Sequence, residues 1–164
     1  MRIIALKDGL TEEIIAKKFS WLLKAVISEA VLGLTEDGEL IWYSGTWRNP
    51  SWKTEEPVWK GGVWKSGIFE GGIWEDGTWE DGTWKDGVWH DGTWEDGTWE
   101  WGTWNNGHWL GGVWKKGVWY NGTWEWGVWK DGTWVKGTWG KGIWRNGVWE
   151  GGTWNSLDPH PNNL

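Results

Sequence analysis

The chain has 164 residues, among them 25 tryptophans and 28 glycines, and its formal net charge is -7. The absence of cysteine excludes a disulfide framework and a thiolate metal site, and the acidic net charge disfavours binding to nucleic acid. The longest apolar stretch, residues 14–34, contains Lys17, Lys18, Lys24 and Glu29, which argues against a membrane span. We therefore expect a cytoplasmic protein that does not cross a membrane.

Residues 1–41 predict a small strand–helix–strand unit. Residues 2–6 have the composition of a short strand, and Thr11 is a good N-cap for a helix. Apolar residues then recur at helical spacing as far as Ala30, with Gly33 as the expected C-cap. Asp37-Gly38 predicts a turn into a second strand at residues 39–43. We expect this unit to cap the repeat that follows or to attach it to another molecule.

A five-residue repeat, Gly-x-Trp-x-x, occupies most of the remaining chain. It begins weakly at Trp42, Trp47 and Trp52, is interrupted by a two-residue insertion within residues 53–57, and then runs in register to Trp154. The residue before the aromatic is almost always Thr, Val or Ile, which favours extended backbone. The residue before the glycine is often Asp or Asn, which favours a turn. Each repeat is therefore predicted to be a short extended segment followed by a corner.

Short segments joined by regular corners predict a β-solenoid over residues 42–155, followed by a loose tail or lid at residues 156–164. Other apolar residues are too sparse in the repeat to form an ordinary core, so the aromatic residue of each repeat must point inward. The predicted core ladder is Trp59, Trp64, Phe69, Trp74, Trp79, Trp84, Trp89, Trp94, Trp99, Trp104, Trp109, Trp114, Trp119, Trp124, Trp129, Trp134, Trp139, Trp144, Trp149 and Trp154.

The repeat resembles that of pentapeptide-repeat proteins, which place a small residue two positions before an inward Leu or Phe. Gly92 and Trp94 stand at the matching places, and the smaller glycine would make room for the larger indole. The chain departs from the family in having Thr or Val where the family has Asp or Asn. The resemblance implies a mainly β fold, a four-sided, right-handed β-helix. The repeat is also similar to Trp-rich tracts of uncharacterised structural proteins of tailed phages, which implies a virion component.

The number of sides is left open by the sequence. Residues 20 apart form a column without threonine (Ile68, Val88, His108, Val128 and Val148), which suits four sides. Residues 25 apart also match, as Glu100-Trp101 does with Glu125-Trp126, which suits five sides. The family resemblance favours four.

The outward positions predict a candidate interaction surface. Trp101 and Trp126 replace the usual corner Asp or Asn, and both are expected to face solvent together with Leu110, Tyr120 and Val135. Charge is also unevenly distributed. Residues 70–100 contain ten acidic residues and one basic residue, net -9, whereas residues 110–145 contain six basic and two acidic residues, net +4. This asymmetry favours pairing with another copy or with a protein partner.

No group of residues in the sequence resembles a catalytic site, so we expect no enzyme activity, cofactor or metal. A four-sided coil would place His90 and His108 on one side in adjacent coils, but ordinary surface histidines are the simpler interpretation. Turn formation likewise explains the series Asp81, Asp86, Asp91 and Asp96. The sequence favours a structural or assembly protein that self-associates or binds a protein partner. An acidic DNA mimic that inhibits a DNA-binding enzyme is the alternative, and ice binding is a minor one.

Overall fold

The repeat winds into a parallel β-solenoid of about six turns in a computed structural model that describes residues 2–48 and 57–163. The mainly β fold predicted from the repeat is confirmed. Trp52 and residues 53–56 of the expected insertion lie outside the described residues. Each repeat contributes a two-residue strand made of the residue before the aromatic and the aromatic itself.

The solenoid has three sides, so the expectation of four sides and the alternative of five are both wrong. Strands that lie three repeats apart in the chain pair in parallel register: Thr78 pairs with Thr93 and Trp79 with Trp94. One coil therefore contains three repeats. Three indoles meet edge-on around the axis, at about 6.0 Å and 71–73° in the coil that contains Trp79, Trp84 and Trp89, and fill the interior between them. A fourth side would widen that interior.

The strands of the three sides follow each other in strict rotation along the chain. Side 1 consists of β4 (Val58–Trp59), β7 (Ile73–Trp74), β10 (Val88–Trp89), β13 (Thr103–Trp104), β16 (Val118–Trp119), β19 (Thr133–Trp134) and β22 (Val148–Trp149). Side 2 consists of β5 (Val63–Trp64), β8 (Thr78–Trp79), β11 (Thr93–Trp94), β14 (His108–Trp109), β17 (Thr123–Trp124), β20 (Thr138–Trp139) and β23 (Thr153–Trp154). Side 3 consists of β6 (Ile68–Phe69), β9 (Thr83–Trp84), β12 (Thr98–Trp99), β15 (Val113–Trp114), β18 (Val128–Trp129) and β21 (Ile143–Trp144). We name the corners 1-2, 2-3 and 3-1 after the sides that they join.

The aromatic ladder occupies the interior. Its members from Trp59 to Trp139 have no solvent exposure, Trp149 is 7% exposed, and Trp144 and Trp154 of the last coil are partly buried. Each ring stacks on the ring one coil away, as Trp89 does on Trp104 at 4.7 Å and 6°.

Backbone hydrogen bonds join successive coils in one direction. The amide of Thr78 donates to the carbonyl of Gly62, and the amide of Glu80 donates to the carbonyl of Trp64. Repeated along the chain, this pattern points the amides toward the N-terminal end of the solenoid and the carbonyls toward its C-terminal end.

The N-terminal residues form a compact unit around β1 (Ile3–Leu6), the helix α1 (Glu12–Lys18), a 3₁₀ helix (Ser20–Lys24), β2 (Val26–Leu34) and β3 (Leu40–Arg48). Strand β2 is parallel to β1 and antiparallel to β3. Strand β3 crosses the predicted boundary after residue 41 and then pairs with β5 and β6 as the first strand of sides 2 and 3.

The predicted helix is correct at its start and wrong at its end. Thr11 caps α1 by accepting a hydrogen bond from the Ile14 amide. Residues 26–34, which were expected to complete the helix up to a cap at Gly33, form β2 instead. The reason is that β-branched Val26, Ile27 and Val31 favour extended backbone and pair with β3.

Both ends of the solenoid are covered by aromatic contacts. The Trp21 ring lies edge-on to Trp59 at 5.2 Å, so the N-terminal unit packs against the interior of the first coil. At the other end, the His160 ring lies 5.1 Å from Trp149 and 5.3 Å from Trp154. The Trp154 indole N–H also donates to the carbonyl of Asp158. A short 3₁₀ helix, Pro161–Asn163, follows.

The repeat glycines are required by the backbone as well as by the tryptophans. Gly112 has φ +100°, and a Cβ there would lie 2.4 Å from the carbonyl oxygen of Gly97 in the preceding coil. Gly111 has no left-handed φ, and its nearest obstacle is the Glu95 carbonyl oxygen at 3.3 Å.

Gly112→Ala should therefore lower the free energy of unfolding by about 2–5 kcal/mol, because it combines a strained φ with a clash against backbone. Gly111→Ala at the adjacent position is the matched control and should cost less than about 1 kcal/mol. Urea unfolding followed by tryptophan fluorescence measures both values. Equal effects of the two variants would contradict this account.

Candidate interaction surface

The five residues predicted to form a contact surface are distributed over three corners. Trp101 lies at corner 3-1 and is 54% exposed. Tyr120, which is 49% exposed, and half-buried Val135 lie one coil apart at corner 1-2. Leu110, half-buried, and Trp126, 64% exposed, lie at corner 2-3. Trp101, Tyr120 and Val135 therefore border side 1. Leu110 and Trp126 lie at the corner opposite side 1 and, together with Trp101, border side 3.

Side 1 presents the most aliphatic outward column of the solenoid. Its outward residues, in order along the axis, are Val58, Ile73, Val88, Thr103, Val118, Thr133 and Val148. They are half-buried except Val148, which is 56% exposed. Comparison of residues 20 or 25 apart missed this column, because its members recur at every third repeat.

Side 2 differs from side 1 in chemistry, whereas side 3 is nearly as aliphatic. Side 2 begins with Val63 and continues as a threonine column interrupted by one histidine: Thr78, Thr93, His108, Thr123, Thr138 and Thr153. Side 3 is mixed: Ile68, Thr83, Thr98, Val113, Val128 and Ile143. Side 1 has five aliphatic outward residues of seven and side 3 has four of six, so these two faces suit apolar contact better than side 2 does, and side 1 has the longer column.

A groove of about 350 Å³ lies beside Trp101, where corner 3-1 meets side 1. Asp86, Val88, Thr103 and Val118 border it. An exposed indole next to a groove is a combination common at protein interfaces, where aromatic side chains fill pockets on the partner.

The acidic and the basic residues each extend around the whole circumference of the rod. Because one coil contains three repeats, the acidic residues 70–100 make up about two coils and the basic residues 110–145 somewhat more than two. The acidic and basic residues therefore form two bands that include all three corners. The boundary between the bands lies close to Trp101, near the middle strand of side 1, β13.

Ion pairs between adjacent coils line corner 3-1. Arg48 and Lys85 both contact Glu70, and Lys115 contacts Glu100 at 3.0 Å. The hydrogen bond from Arg48 is the main cause that holds the pKa of Glu70 below its usual value, against an opposing effect of partial burial. Lys85 lowers the pKa of Glu70 further.

A lowered carboxyl pKa means that Glu70 stabilises the fold above its ordinary pKa of about 4.3 and that this contribution is lost as pH falls through the lowered value. The melting temperature of the Glu70→Gln variant should therefore fall less than that of the wild type when pH falls from about 6 to about 3. Calorimetric scans at each pH measure the difference. Glu95→Gln, at an exposed carboxylate of the same band, is the control. A pH dependence of Glu70→Gln that matches the wild type would contradict this prediction.

The histidines and corner aspartates do not come together in a metal-binding group. The Asn105 side-chain amide donates to His90 Nδ1 at 3.2 Å, and His108 contacts Glu125 at 2.7 Å. His90 lies at corner 1-2 and His108 in strand β14 of side 2, so the expectation from a four-sided coil that both lie on one side is wrong. Asp81, Asp86 and Asp91 occupy the three corners in turn, and each accepts a hydrogen bond from the next glycine amide. Within the described part of the chain, no three His, Asp or Glu side chains are grouped as metal ligands would be.

Comparison with known proteins finds no matching family model, no matching curated protein and no matching solved structure. Among residues 2–48 and 57–163, no helix has the length and apolar content needed to span a bilayer.

Proposed function

We propose that this chain is a non-enzymatic structural protein, a rigid rod that mediates protein–protein contacts through side 1. The observation that carries the proposal is the aliphatic column of side 1, bordered by exposed Trp101 at one corner and exposed Tyr120 at the other. Apolar surface of this kind, aligned along a regular face, is typical of a contact surface. The resemblance of the repeat to Trp-rich tracts of tailed-phage structural proteins suggests a virion component as its setting.

Rigidity follows from the way in which the coils are held together. Stacked indoles fill the interior, and backbone hydrogen bonds join each coil to the next along all three sides. Bending the rod would break ring stacking on one side and backbone hydrogen bonds on another. A stiff rod keeps its outward residues in fixed register, which suits assembly.

The charge bands favour this function over DNA mimicry. A mimic of duplex DNA requires negative charge along its length, because the phosphate backbone carries charge continuously. Here the acidic band is followed by a basic band on the same rod. Opposite bands suit contact with a protein that has complementary charge, such as another copy.

The proposal is tested by photo-cross-linking in the cells that express the chain. A photoreactive benzoylphenylalanine replaces Val88 on side 1 or, as the matched control, Thr93 on side 2. We expect cross-linked protein adducts from position 88 and few from position 93. Trp101→Asp should abolish the adducts at position 88, because it removes the exposed indole beside the groove. Trp126→Asp, at the opposite corner, should leave them.

Aspartate is common at these corners, so both substitutions should leave the fold intact, which near-UV circular dichroism verifies. Adducts that are absent from position 88, or equally abundant at both positions, would overturn the proposal.

Ice binding is a second candidate function, and one feature of side 2 favours it. The threonines of side 2 form a single column with one strand spacing, about 4.8 Å, between neighbours, and only His108 interrupts it. In chain order, the threonines are mixed with Val and Ile, and a coil of three repeats brings five of them, Thr78, Thr93, Thr123, Thr138 and Thr153, onto one face. A regular array of hydroxyl and methyl groups on a flat face could order water.

If side 2 binds ice, the wild type should show thermal hysteresis at its highest soluble concentration. The double substitution Thr93→Tyr and Thr123→Tyr should abolish it by disrupting the flat column. Val88→Tyr with Val118→Tyr on side 1 should not. An absence of hysteresis in the wild type removes this candidate.

A further inference from the structure

We propose that two copies of the chain pair face to face through side 1, with their axes antiparallel and the two-fold axis at the level of Thr103. This inference rests on the proposed function and names its partner, a second copy. The two-fold axis would lie between the two faces and at right angles to the rods. In this arrangement corner 3-1 of one copy meets corner 3-1 of the other, and corner 1-2 meets corner 1-2.

The apolar column of side 1 is suited to this symmetry. Strand β13 is the middle one of the seven strands, so reversal of the axis exchanges the strands on either side of it. Val88 then faces Val118 of the second copy, and Val58 faces Val148 of the second copy. Every residue of the column meets an aliphatic residue or a threonine.

Trp101 stands where the two corners meet. It lies two residues before β13, so the two indoles lie at nearly the same level, one on each side of the two-fold axis. The groove beside Trp101 extends to Val88 on one side of that level and to Val118 on the other. Each indole can therefore enter the groove of the opposite copy. Burial of an exposed aromatic ring in a pocket is a common source of binding energy.

Charged residues at corner 3-1 are complementary across the axis. Asp86 lies one coil before Trp101 and Lys116 lies one coil after it. Antiparallel pairing therefore places Asp86 of each copy opposite Lys116 of the other copy. Two coils from the axis, Glu70, which also contacts Arg48 and Lys85 in its own chain, faces Lys130 of the second copy. Asp86 and Lys116 are exposed, and Lys116 lies 3.8 Å from Asp131 of its own chain.

Corner 1-2 shows the same complementarity. Asp76 lies two coils before the axis and faces Lys136 of the second copy, two coils after it. Lys60 and Glu150, at the two ends of side 1, face each other in the same way.

Like charges also meet at corner 3-1. Glu100 faces Glu100 of the second copy, and Lys85 faces Lys115 of the second copy. Within each chain these residues already have partners. Glu100 contacts Lys115, and Lys85 contacts Glu70 at 3.2 Å.

A parallel arrangement lacks these pairs. With the axes parallel, residues at the same level meet, so corner 3-1 of the acidic band faces corner 1-2 of the acidic band. Asp86 would then lie near Asp76 and Asp91 of the second copy, whereas Lys116 would lie near Asn106 and Asn121 and lose its acidic partner. Like-charge contacts of this kind oppose association, so the charges select the antiparallel orientation.

The size of side 1 sets the expected affinity. Seven strands span roughly 29 Å at ~4.8 Å per spacing, and a side is about 15 Å wide, which gives roughly 450 Å² per copy. Stable complexes bury about 800 Å² per partner, so the dimer should be weak, with a dissociation constant in the micromolar range or above. Sedimentation must therefore extend to several hundred micromolar protein.

The experiment is sedimentation velocity of the purified chain and of charge-reversal variants at low and high salt. Asp86→Lys alone and Lys116→Asp alone should each weaken dimerisation at least about tenfold, because both symmetric pairs become like-charged. An equimolar mixture of these two variants restores both pairs in the heterodimer, and the double variant restores them in the homodimer. Both should dimerise as the wild type does. Lys141→Asp, at corner 2-3, is the matched control and should have no effect.

Cross-linking provides a second measurement that does not depend on charge. The chain has no cysteine, so Asp86→Cys and Lys116→Cys are single-thiol variants. Under oxidising conditions a disulfide dimer should form when the two variants are mixed and should remain at background in either variant alone.

A wild type that stays monomeric at every concentration overturns the pairing. Dimers that the single charge reversals do not weaken, or that the mixture does not restore, overturn it as well. If the purified chain is monomeric while position 88 still forms adducts with other proteins in cells, the antiparallel dimer fails and the proposed function stands. If both measurements are negative, both fail.

Discussion

The stacking of indoles between coils is the interaction on which the rest of this structure depends. Each interior ring lies parallel to the rings above and below it at about 4.8 Å and meets its neighbours in the same coil edge-on. Aromatic pairs contribute about 0.5–1.5 kcal/mol beyond burial. Sixteen buried indole N–H groups have no hydrogen-bond partner among the described residues, and an unpaired buried donor costs about 1–3 kcal/mol. Pair contacts and this penalty are of similar size, so burial of the rings supplies the net stability.

The sequence predicted the kind of fold because the repeat combines local signals that agree. Branched residues before each tryptophan favour strand, Asp-Gly and Asn-Gly favour corners, and the tryptophans are the main apolar residues available for a core. It did not predict three sides, because a five-residue period is compatible with any number of repeats per coil. Charge contained the missing signal: Lys65 with Glu80 and Glu100 with Lys115 are opposite charges three repeats apart, and both pairs form ion pairs.

The exposure of Trp101, Trp126 and Tyr120 was also predictable, since each occupies an outward position of the repeat. Their grouping was not, because it depends on the number of repeats per coil. With three sides, Trp101 and Tyr120 border one face, and Trp126 lies at the opposite corner.

The predicted helix was too long for a different reason. Apolar residues at helical spacing continue beyond Lys18, and only the pairing of β2 with β3, a contact distant in sequence, converts residues 26–34 to strand.

The coil of three repeats also determines how such a chain can change in length. Insertion of a single Gly-x-Trp-x-x unit preserves every local rule of the repeat and leaves the core intact, yet it turns everything downstream by one third of a revolution. The valines that follow the insertion would then continue the threonine face, and the acidic and basic corners would exchange neighbours. Only gains or losses of three units at a time preserve the faces. The fold therefore tolerates a change of one repeat, whereas the pattern of outward residues tolerates only changes of a whole coil.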